Sequence, residues 1–222
     1  MEKCGTTDLY QRINMHPDVA LSVAKELQWW TRRRFFYSVN HTFPASLQSD
    51  ENKLKHISEL VNVPFKHYYA FFDNVADQIK AATTTTSVNG TKHHRKITGD
   101  GSPNTMYWND FRSIFDVSNN GEQRTLVAHH VAAALPQAKI IAILRNPVDR
   151  LYSSYLFFNR GATAGLFHRI VVRGIKLFHT CAARQSIRDC VYDPQLKADV
   201  GSTVNLMQGI YSVMLQDWLE VC

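Results

Sequence analysis

A short apolar run that turns abruptly into charge constrains the fold of this chain most strongly. Residues 139–158 have the sequence KIIAILRNPVDRLYSSYLFF. The segment IIAIL is short and rich in β-branched residues, and turn residues follow it, which predicts a buried strand over residues 139–144. Pro147 suits the first turn of a helix, and we expect that helix to reach about residue 158. The stretch therefore predicts a strand that leads directly into a helix.

The rest of the chain adds helices and few strands. Spacing and end signals predict helices over residues 6–13, 65–82, 124–135 and 204–221, a strand over 95–98 and a polar loop over 83–90. In the second helix, Phe65, Tyr69 and Phe72 recur at helical spacing and are expected to face the core. Helices that alternate with short buried strands predict an α/β architecture with a parallel sheet. A length of 222 residues fits one α/β domain, or one domain with a lobe.

A second motif, KCGTTD, occupies residues 3–8. Gly5 would let the backbone approach an anion, and the amides of Thr6 and Thr7 open a helix toward it. Lys3 would add a compact positive charge. The motif is not a Walker A loop, because its lysine precedes the glycine. By itself it is more typical of an ordinary helix start than of an anion site.

The charged part of the 139–158 stretch also suits an anion. Arg145 follows the predicted strand, where ligands of open α/β sheets bind. Its guanidinium can bind a phosphate with two parallel hydrogen bonds, and Ser153 can add a hydroxyl donor. Arg150 can serve the same anion, or it can be a solvated or core-bridging helix residue.

These two motifs, in this order, resemble those of the sulfotransferases that use 3′-phosphoadenosine 5′-phosphosulfate (PAPS). In that family a Lys-x-Gly-Thr-Thr loop holds the 5′-phosphosulfate, and an Arg-x-Pro-x-x-Arg-x-x-Ser segment holds the 3′-phosphate. The segments KELQWWTRRRFF and GDGSPNTMYW are similar to those of the carbohydrate sulfotransferases. The resemblance implies a parallel-sheet fold of the P-loop NTPase type in one sulfotransferase domain over residues 1–222. The donor-binding residues that it implies are Lys3, Cys4, Gly5, Thr6, Thr7, Asp8, Arg145 and Ser153.

The resemblance also implies roles in catalysis. Lys3 would stabilise charge on the leaving phosphate, and Glu26 would take the proton of the acceptor hydroxyl. Without the resemblance, Glu26 would be taken for a surface glutamate beside Lys25. PAPS is then a cosubstrate, and no metal is required. The residues predicted to contact sulfate and carboxylate groups of the acceptor are His16, Arg32, Arg33 and Arg34.

The charge of the chain favours an anionic partner. Its formal net charge is +6, with basic clusters at residues 32–34 and 92–96. No nucleic-acid motif accompanies the clusters, so we expect no nucleic-acid partner. The resemblance implies a sulfated glycosaminoglycan, with transfer to the 6-O of N-acetylgalactosamine 4-sulfate in chondroitin or dermatan sulfate. The alternatives are an inactive truncated homologue that binds glycans or regulates a partner, and a P-loop nucleotide kinase.

The cysteines and sequons bear on the compartment. Cys181 and Cys190 enclose eight residues, which suits either a small disulfide loop in a secretory protein or two free thiols. Asn40 and Asn89 begin glycosylation sequons.

The resemblance implies a Golgi location. It also implies a membrane anchor that we do not find in the sequence, together with a first strand and a C-terminal strand. We therefore expect a chain truncated at both ends.

Overall fold

The computed structural model describes residues 1–31, 64–82, 84–86, 88–90, 92–109, 126–159, 163–200 and 204–221. It divides into two compact units. The hairpin unit is Thr6–Thr105, and the helical unit combines Met1–Gly5 with Met106–Cys222. The single domain expected from the sequence stays a prediction.

The described residues of the hairpin unit form three α-helices and a small antiparallel sheet. Its elements are α1 (Thr6–Asn14), α2 (Lys66–Tyr69), a 3₁₀ turn (Ala70–Phe72), α3 (Asp73–Ala81), β1 (Thr84–Thr86) and β2 (Lys92–His94). The helix predicted from residue 6 is confirmed. The helix predicted over 65–82 is confirmed with a 3₁₀ turn inside it.

The polar loop predicted over residues 83–90 is wrong for residues 84–86, which form β1, whereas residues 88–90 form a turn. β1 pairs antiparallel with β2, with Thr85 opposite His93. The pairing follows from β-branched threonines on one side of an Asn-Gly turn, in which Gly90 has a φ of 81°. The strand predicted at residues 95–98 is also misplaced. β2 ends at His94, and Ile97 forms only an isolated parallel bridge with Val19.

The core of the hairpin unit is aromatic. Trp29 and Trp30 are buried and lie with ring centroids 6.1 and 5.2 Å from that of Tyr68. Tyr68 is therefore the buried residue of α2, whereas Tyr69 is 53% exposed. Of the predicted core face, only Tyr69 is wrong, and Tyr68 takes its place because both tryptophans pack on the Tyr68 ring. Phe65 and Phe72 pack in the same cluster. Burial also raises the pKa of the Tyr68 phenol above its usual range.

The regular elements described in the helical unit are all helices. Its elements are α4 (Val127–Ala134), α5 (Pro147–Phe158), α6 (Ala164–Ala182), α7 (Ile187–Tyr192), α8 (Pro194–Val200), a 3₁₀ turn (Met207–Gly209) and α9 (Tyr211–Leu219). α5 confirms the helix predicted after Pro147. Asn146 caps it, because its side-chain oxygen accepts hydrogen bonds from the amides of Val148 and Asp149. The helix predicted from residue 204 begins only at Tyr211.

The strand predicted over residues 139–144 is wrong. This segment forms no strand with any other part of the chain that the structure describes. Ile140 and Ile141 are 48% and 68% exposed. An apolar run does not specify a pairing partner, and a strand needs one for its backbone hydrogen bonds. The parallel sheet is therefore not seen in the described residues, and it stays a prediction.

The core of the helical unit forms around α6 and α7. A Cβ atom added to Gly174 would lie 3.2 Å from a Val200 methyl group and 3.4 Å from a Leu206 methyl group, so α6 packs closely on α8. The disulfide Cys181–Cys190 ties the end of α6 to α7, with Cα atoms 5.9 Å apart. The disulfide alternative for this cysteine pair is thus the one that the structure shows.

Candidate active site

The loop of residues 3–5 has unusual backbone conformations. Lys3 has a φ of 60° and Gly5 a φ of 89°, and both values belong to the left-handed region. Glycine adopts this region without strain, but lysine rarely does. The Lys3 ammonium lies 3.8 Å from the centroid of the Phe157 ring, a cation–π distance. The loop therefore presents a lysine whose charged end is held by an aromatic ring of α5.

Tyr211, at the start of α9, joins this loop to the Arg145 segment. The Cys4 Sγ lies 3.6 Å from the Tyr211 hydroxyl, which donates a 3.0 Å hydrogen bond to the Arg145 carbonyl oxygen. A Cβ on Gly5 would lie 3.8 Å from the Cδ1 of Ile143. Burial, with the Cys4 contact, raises the pKa of Tyr211 to about 12, so its hydroxyl stays a donor at neutral pH. The two motifs predicted to act together thus meet in the helical unit.

Ser153 lies on the helix face that carries this contact. It is four residues before Phe157 on α5, so the two side chains are neighbours on one face. Ser153 is half-buried, and the Arg145 side chain is exposed. Lys3 therefore contacts the face of α5 that carries Ser153, and Tyr211 joins the backbone of Arg145 to the same loop. The donor-binding roles of these residues stay a prediction.

Arg150 has the core-bridging role that the sequence left open. Its side chain is fully buried, and Nη2 donates a 2.6 Å hydrogen bond to the Asn205 carbonyl oxygen. Nη1 lies 3.5 Å from the Gln208 side-chain oxygen. Burial lowers the pKa of the guanidinium. Arg150 therefore connects α5 to the segment before α9 and does not reach toward solvent.

The other residues predicted to hold the donor, which are Thr6, Thr7 and Asp8, belong to the hairpin unit. Thr6 is half-buried, and Thr7 is exposed in the first turn of α1. The Asp8 carboxylate accepts a 2.8 Å hydrogen bond from Arg12, and this ion pair raises the pKa of the arginine.

Of the predicted acceptor contacts, His16 is exposed, and its Nδ1 accepts a 3.1 Å hydrogen bond from the Asp18 amide. Arg32, Arg33 and Arg34 lie outside the described residues.

Glu26 lies in a segment that is fixed by the turn around Ser102. Its carboxylate pairs with the Lys25 ammonium, and the side chain is 37% exposed. The Gln28 amide donates a 2.7 Å hydrogen bond to the Ser102 hydroxyl, and the Gly101 amide donates to the Lys25 carbonyl at 3.0 Å. These bonds hold the backbone on both sides of Glu26.

Asp100 lies beneath this turn. Its Oδ1 accepts hydrogen bonds from the Ser102 amide and hydroxyl at 2.9 and 2.5 Å. Burial raises the pKa of Asp100, and the nearby Glu26 carboxylate adds to the rise, whereas the Ser102 hydrogen bonds oppose it. Gln28 has a φ of 50°, in the left-handed region. The turn therefore sets the conformation of the segment that carries the predicted base.

Other sequence predictions have mixed outcomes. Asn89 is exposed in the turn of the hairpin, and its glycosylation stays a prediction, while Asn40 lies outside the described residues. Trp29 and Trp30 are core residues. In the part of the chain that the structure describes, no helix has the length and apolarity of a membrane span.

Comparison with known proteins agrees with these motifs. The model of the sulfotransferase domain matches residues 1–189. The chain belongs to the sulfotransferase domain family. Similar members are named carbohydrate sulfotransferase 15. The proteins from Rattus norvegicus and Mus musculus are each 37% identical, and the one from Homo sapiens is 36% identical. Each match covers 99% of this chain and 36% of the relative, so the chain spans about a third of their length. No solved structure matches the chain.

Three residues of this sulfotransferase region were missed at the sequence level. Phe157 could have been found, because it follows Ser153 by one helical turn. Asp100 precedes the Ser102-Pro103 turn, but sequence spacing does not indicate that its carboxylate is buried. Tyr211 is 66 residues from Arg145, and only the fold brings them together.

Proposed function

We propose that the chain transfers a sulfuryl group from PAPS to a hydroxyl of a sulfated glycosaminoglycan. The observation that carries the proposal is the Tyr211 contact, which joins the Lys3–Gly5 loop to Arg145. In the PAPS-dependent sulfotransferases that the chain resembles, these two segments bind opposite ends of the donor. A packing contact alone would not require an exposed arginine and a lysine in left-handed conformation at this one place.

The donor half of the reaction uses the cations of the helical unit. Lys3 offers a positive charge to the phosphate that leaves, and the strength of such stabilisation depends on the charge being held in position beforehand. The Phe157 ring supplies that positioning. Arg145 binds the 3′-phosphate through its guanidinium, and Ser153 adds a hydroxyl donor. Cys4, Gly5, Thr6, Thr7 and Asp8 complete the loop around the 5′-phosphosulfate.

The acceptor half of the reaction needs a base. The acceptor oxygen forms a bond to sulfur while the bond between sulfur and the 5′-phosphate oxygen breaks. Glu26 takes the proton of the hydroxyl, so the products are the sulfate ester and 3′-phosphoadenosine 5′-phosphate (PAP). A carboxylate on a segment whose backbone is fixed by the Ser102 turn suits this step, because proton transfer depends on a defined geometry. No metal takes part in this scheme.

The acceptor proposed is the 6-O of N-acetylgalactosamine 4-sulfate in chondroitin or dermatan sulfate. Its support is the resemblance of the WWTRRRFF and GDGSPNTMYW segments and the name of the similar relatives, carbohydrate sulfotransferases. His16, Arg32, Arg33 and Arg34 are the proposed acceptor contacts. A location in the Golgi lumen, with glycosylation at Asn40 and Asn89, is part of the same proposal.

The test combines a transfer assay with donor retention. With PAPS and chondroitin sulfate, Lys3→Ala should lower turnover by about 10²–10³-fold, as loss of a charge-stabilising group does. Arg145→Ala should mainly reduce retention on PAP-agarose. The matched control is Lys139→Ala, which changes an exposed lysine six residues before Arg145. It should change neither turnover nor retention on PAP-agarose. Normal turnover in Lys3→Ala would contradict the proposal.

The same assay separates the alternative function. A chain that only binds glycans or regulates a partner should pass through PAP-agarose while it still binds heparin. A nucleotide kinase should bind ATP in competition with PAP.

A further inference from the structure

The strongest unassigned feature of the helical unit is the exposed side of α6. Along its 19 residues this helix carries Arg169, Arg173 and Lys176 and no aspartate or glutamate. The three cations follow each other at spacings of four and three residues, so they form one stripe. At a rise of 1.5 Å per residue the stripe extends about 10 Å. All three side chains are exposed.

The stripe lies opposite the packed face of α6. The other side of the helix carries Phe167, Ile170 and Val171, which pack against the core of Leu151, Tyr155 and Val204. Burial of that face fixes the orientation of α6 about its axis. The three cations therefore point toward solvent. Among the described residues, the ion pairs involve other side chains, and none engages these three cations. Like charges left together without counter-charges favour an anionic ligand.

A groove accompanies the stripe. It has a volume of about 550 Å³, and its lining combines the three cations with apolar side chains. The lining residues are His168, Arg169, Val172, Arg173, Lys176 and Leu177. The aliphatic side chains of Val172 and Leu177 can contact the C–H faces of sugar rings, while the cations meet sulfate and carboxylate groups. The lining residues include no phenylalanine, tyrosine or tryptophan, and His168 is the one aromatic ring among them, which disfavours stacked bases of single-stranded nucleic acid.

We infer that this α6 groove binds a sulfated glycosaminoglycan chain at a distance from the reacting sugar. The groove lies on the side of α6 turned away from α5, which carries Ser153 and Phe157. A long acceptor chain would occupy the groove and the reaction site together, whereas a short oligosaccharide would occupy only the latter. Two linked contacts raise the effective affinity for the longer chain. This inference rests on the proposed function for the identity of the glycan.

The test removes the stripe. With Arg169→Gln, Arg173→Gln and Lys176→Gln together, the Kd for long chondroitin 4-sulfate chains should rise about tenfold at low salt, the sum of three exposed ion pairs. The affinity should also depend less steeply on salt. The KM for a chondroitin 4-sulfate tetrasaccharide should not change. Circular dichroism and thermal unfolding check that the variant is folded.

Two further variants keep the result interpretable. Arg169→Lys with Arg173→Lys retains the charges and should retain most of the affinity. Lys66→Gln, Lys80→Gln and Lys139→Gln together remove the same charge from exposed positions elsewhere, and should leave the Kd nearly unchanged. An equal loss of affinity in this control would overturn the inference, because it would show only a general effect of net charge.

The outcomes separate the groove from the reaction. If the unaltered chain transfers no sulfate but the α6 variant still loses affinity for the long chains, the groove stands and the proposed function fails. If transfer persists and the Kd is unchanged, the inference about the groove is wrong. It is also wrong if chondroitin sulfate binding is unchanged while binding to single-stranded DNA, or to vesicles of phosphatidylserine and phosphatidylcholine, is lost.

Discussion

The Lys3–Arg145 region and the Glu26–Asp100 region hold their predicted catalytic groups in opposite ways. In the first, the ring of Phe157 and the hydroxyl of Tyr211 position a side chain and a loop. In the second, backbone hydrogen bonds to Ser102 and Gly101 fix the segment itself. Lys3 and its loop are thus held by side chains of α5 and α9, whereas the segment of the proposed base is held by its own backbone. The difference suggests that donor binding and proton removal can be changed independently.

The two regions also share one property. Among the described residues, Lys3 and Gln28 are the non-glycine residues with positive φ, and each is in one of these regions. Such conformations cost free energy, of the order of 1–3 kcal/mol each, and they concentrate at functional sites. Gln28 is two residues from Glu26. The positive φ values of Lys3 and Gln28 therefore mark the same two regions that the sequence motifs indicate as functional.

Glu26→Gln should separate the regions most strongly. Loss of the proposed base should lower turnover about 10²–10⁴-fold, because general base catalysis contributes that much. Retention on PAP-agarose should remain normal, since the change does not touch Lys3 or Arg145. The control Glu220→Gln removes an exposed carboxylate of the helical unit and should have no effect. Turnover within twofold of the unaltered chain would rule out Glu26 as the base.

Ser102→Ala should loosen only the second region. It removes the acceptor of the Gln28 amide and one donor to the buried Asp100 carboxylate, so the free energy of unfolding should fall by about 1–3 kcal/mol. Turnover should fall while donor retention is kept. Ser22→Ala, which removes a buried hydroxyl that donates to the Ala24 carbonyl, is the matched control for stability. Equal turnover in the two variants would contradict a positioning role for Ser102.

Tyr211→Phe should affect only the first region. Loss of the hydrogen bond to the Arg145 carbonyl should cost about 1 kcal/mol, so the Kd for PAP should rise about fivefold, as measured by calorimetry. Tyr155→Phe removes a comparable hydrogen bond, to the Thr163 carbonyl, away from the loop. If both variants bind PAP equally, Tyr211 has only a structural role.

Phe157→Leu should give the smallest effect. A cation–π contact at an exposed site contributes about 0.5–1 kcal/mol, so turnover should fall about two- to fivefold. Phe158→Leu removes the adjacent ring and leaves the one that contacts Lys3 in place. A larger loss in Phe158→Leu than in Phe157→Leu would show that Lys3 does not depend on this ring.

The sequence predicted the motifs better than the architecture. The KCGTTD and RNPVDR segments and the helix after Pro147 follow from local chemistry, because turn glycines, caps and proline act within a few residues. The strand over residues 139–144 did not form, since pairing depends on a distant segment. The long helix α6 was not predicted, and α2 was assigned the wrong tyrosine because distant tryptophans determine its burial.

The Cys181–Cys190 bond gives the helical unit a dependence on where it is made. It closes a short loop between α6 and α7, and cross-links of this size contribute about 2–3 kcal/mol to stability. Such bonds form in oxidising compartments and rarely in a reducing cytoplasm. In protein expressed in a bacterial cytosol, Cys181 at the end of α6 and Cys190 in α7 would therefore remain thiols. Assays of glycan binding need material from a secretory or periplasmic host, in which the bond can form.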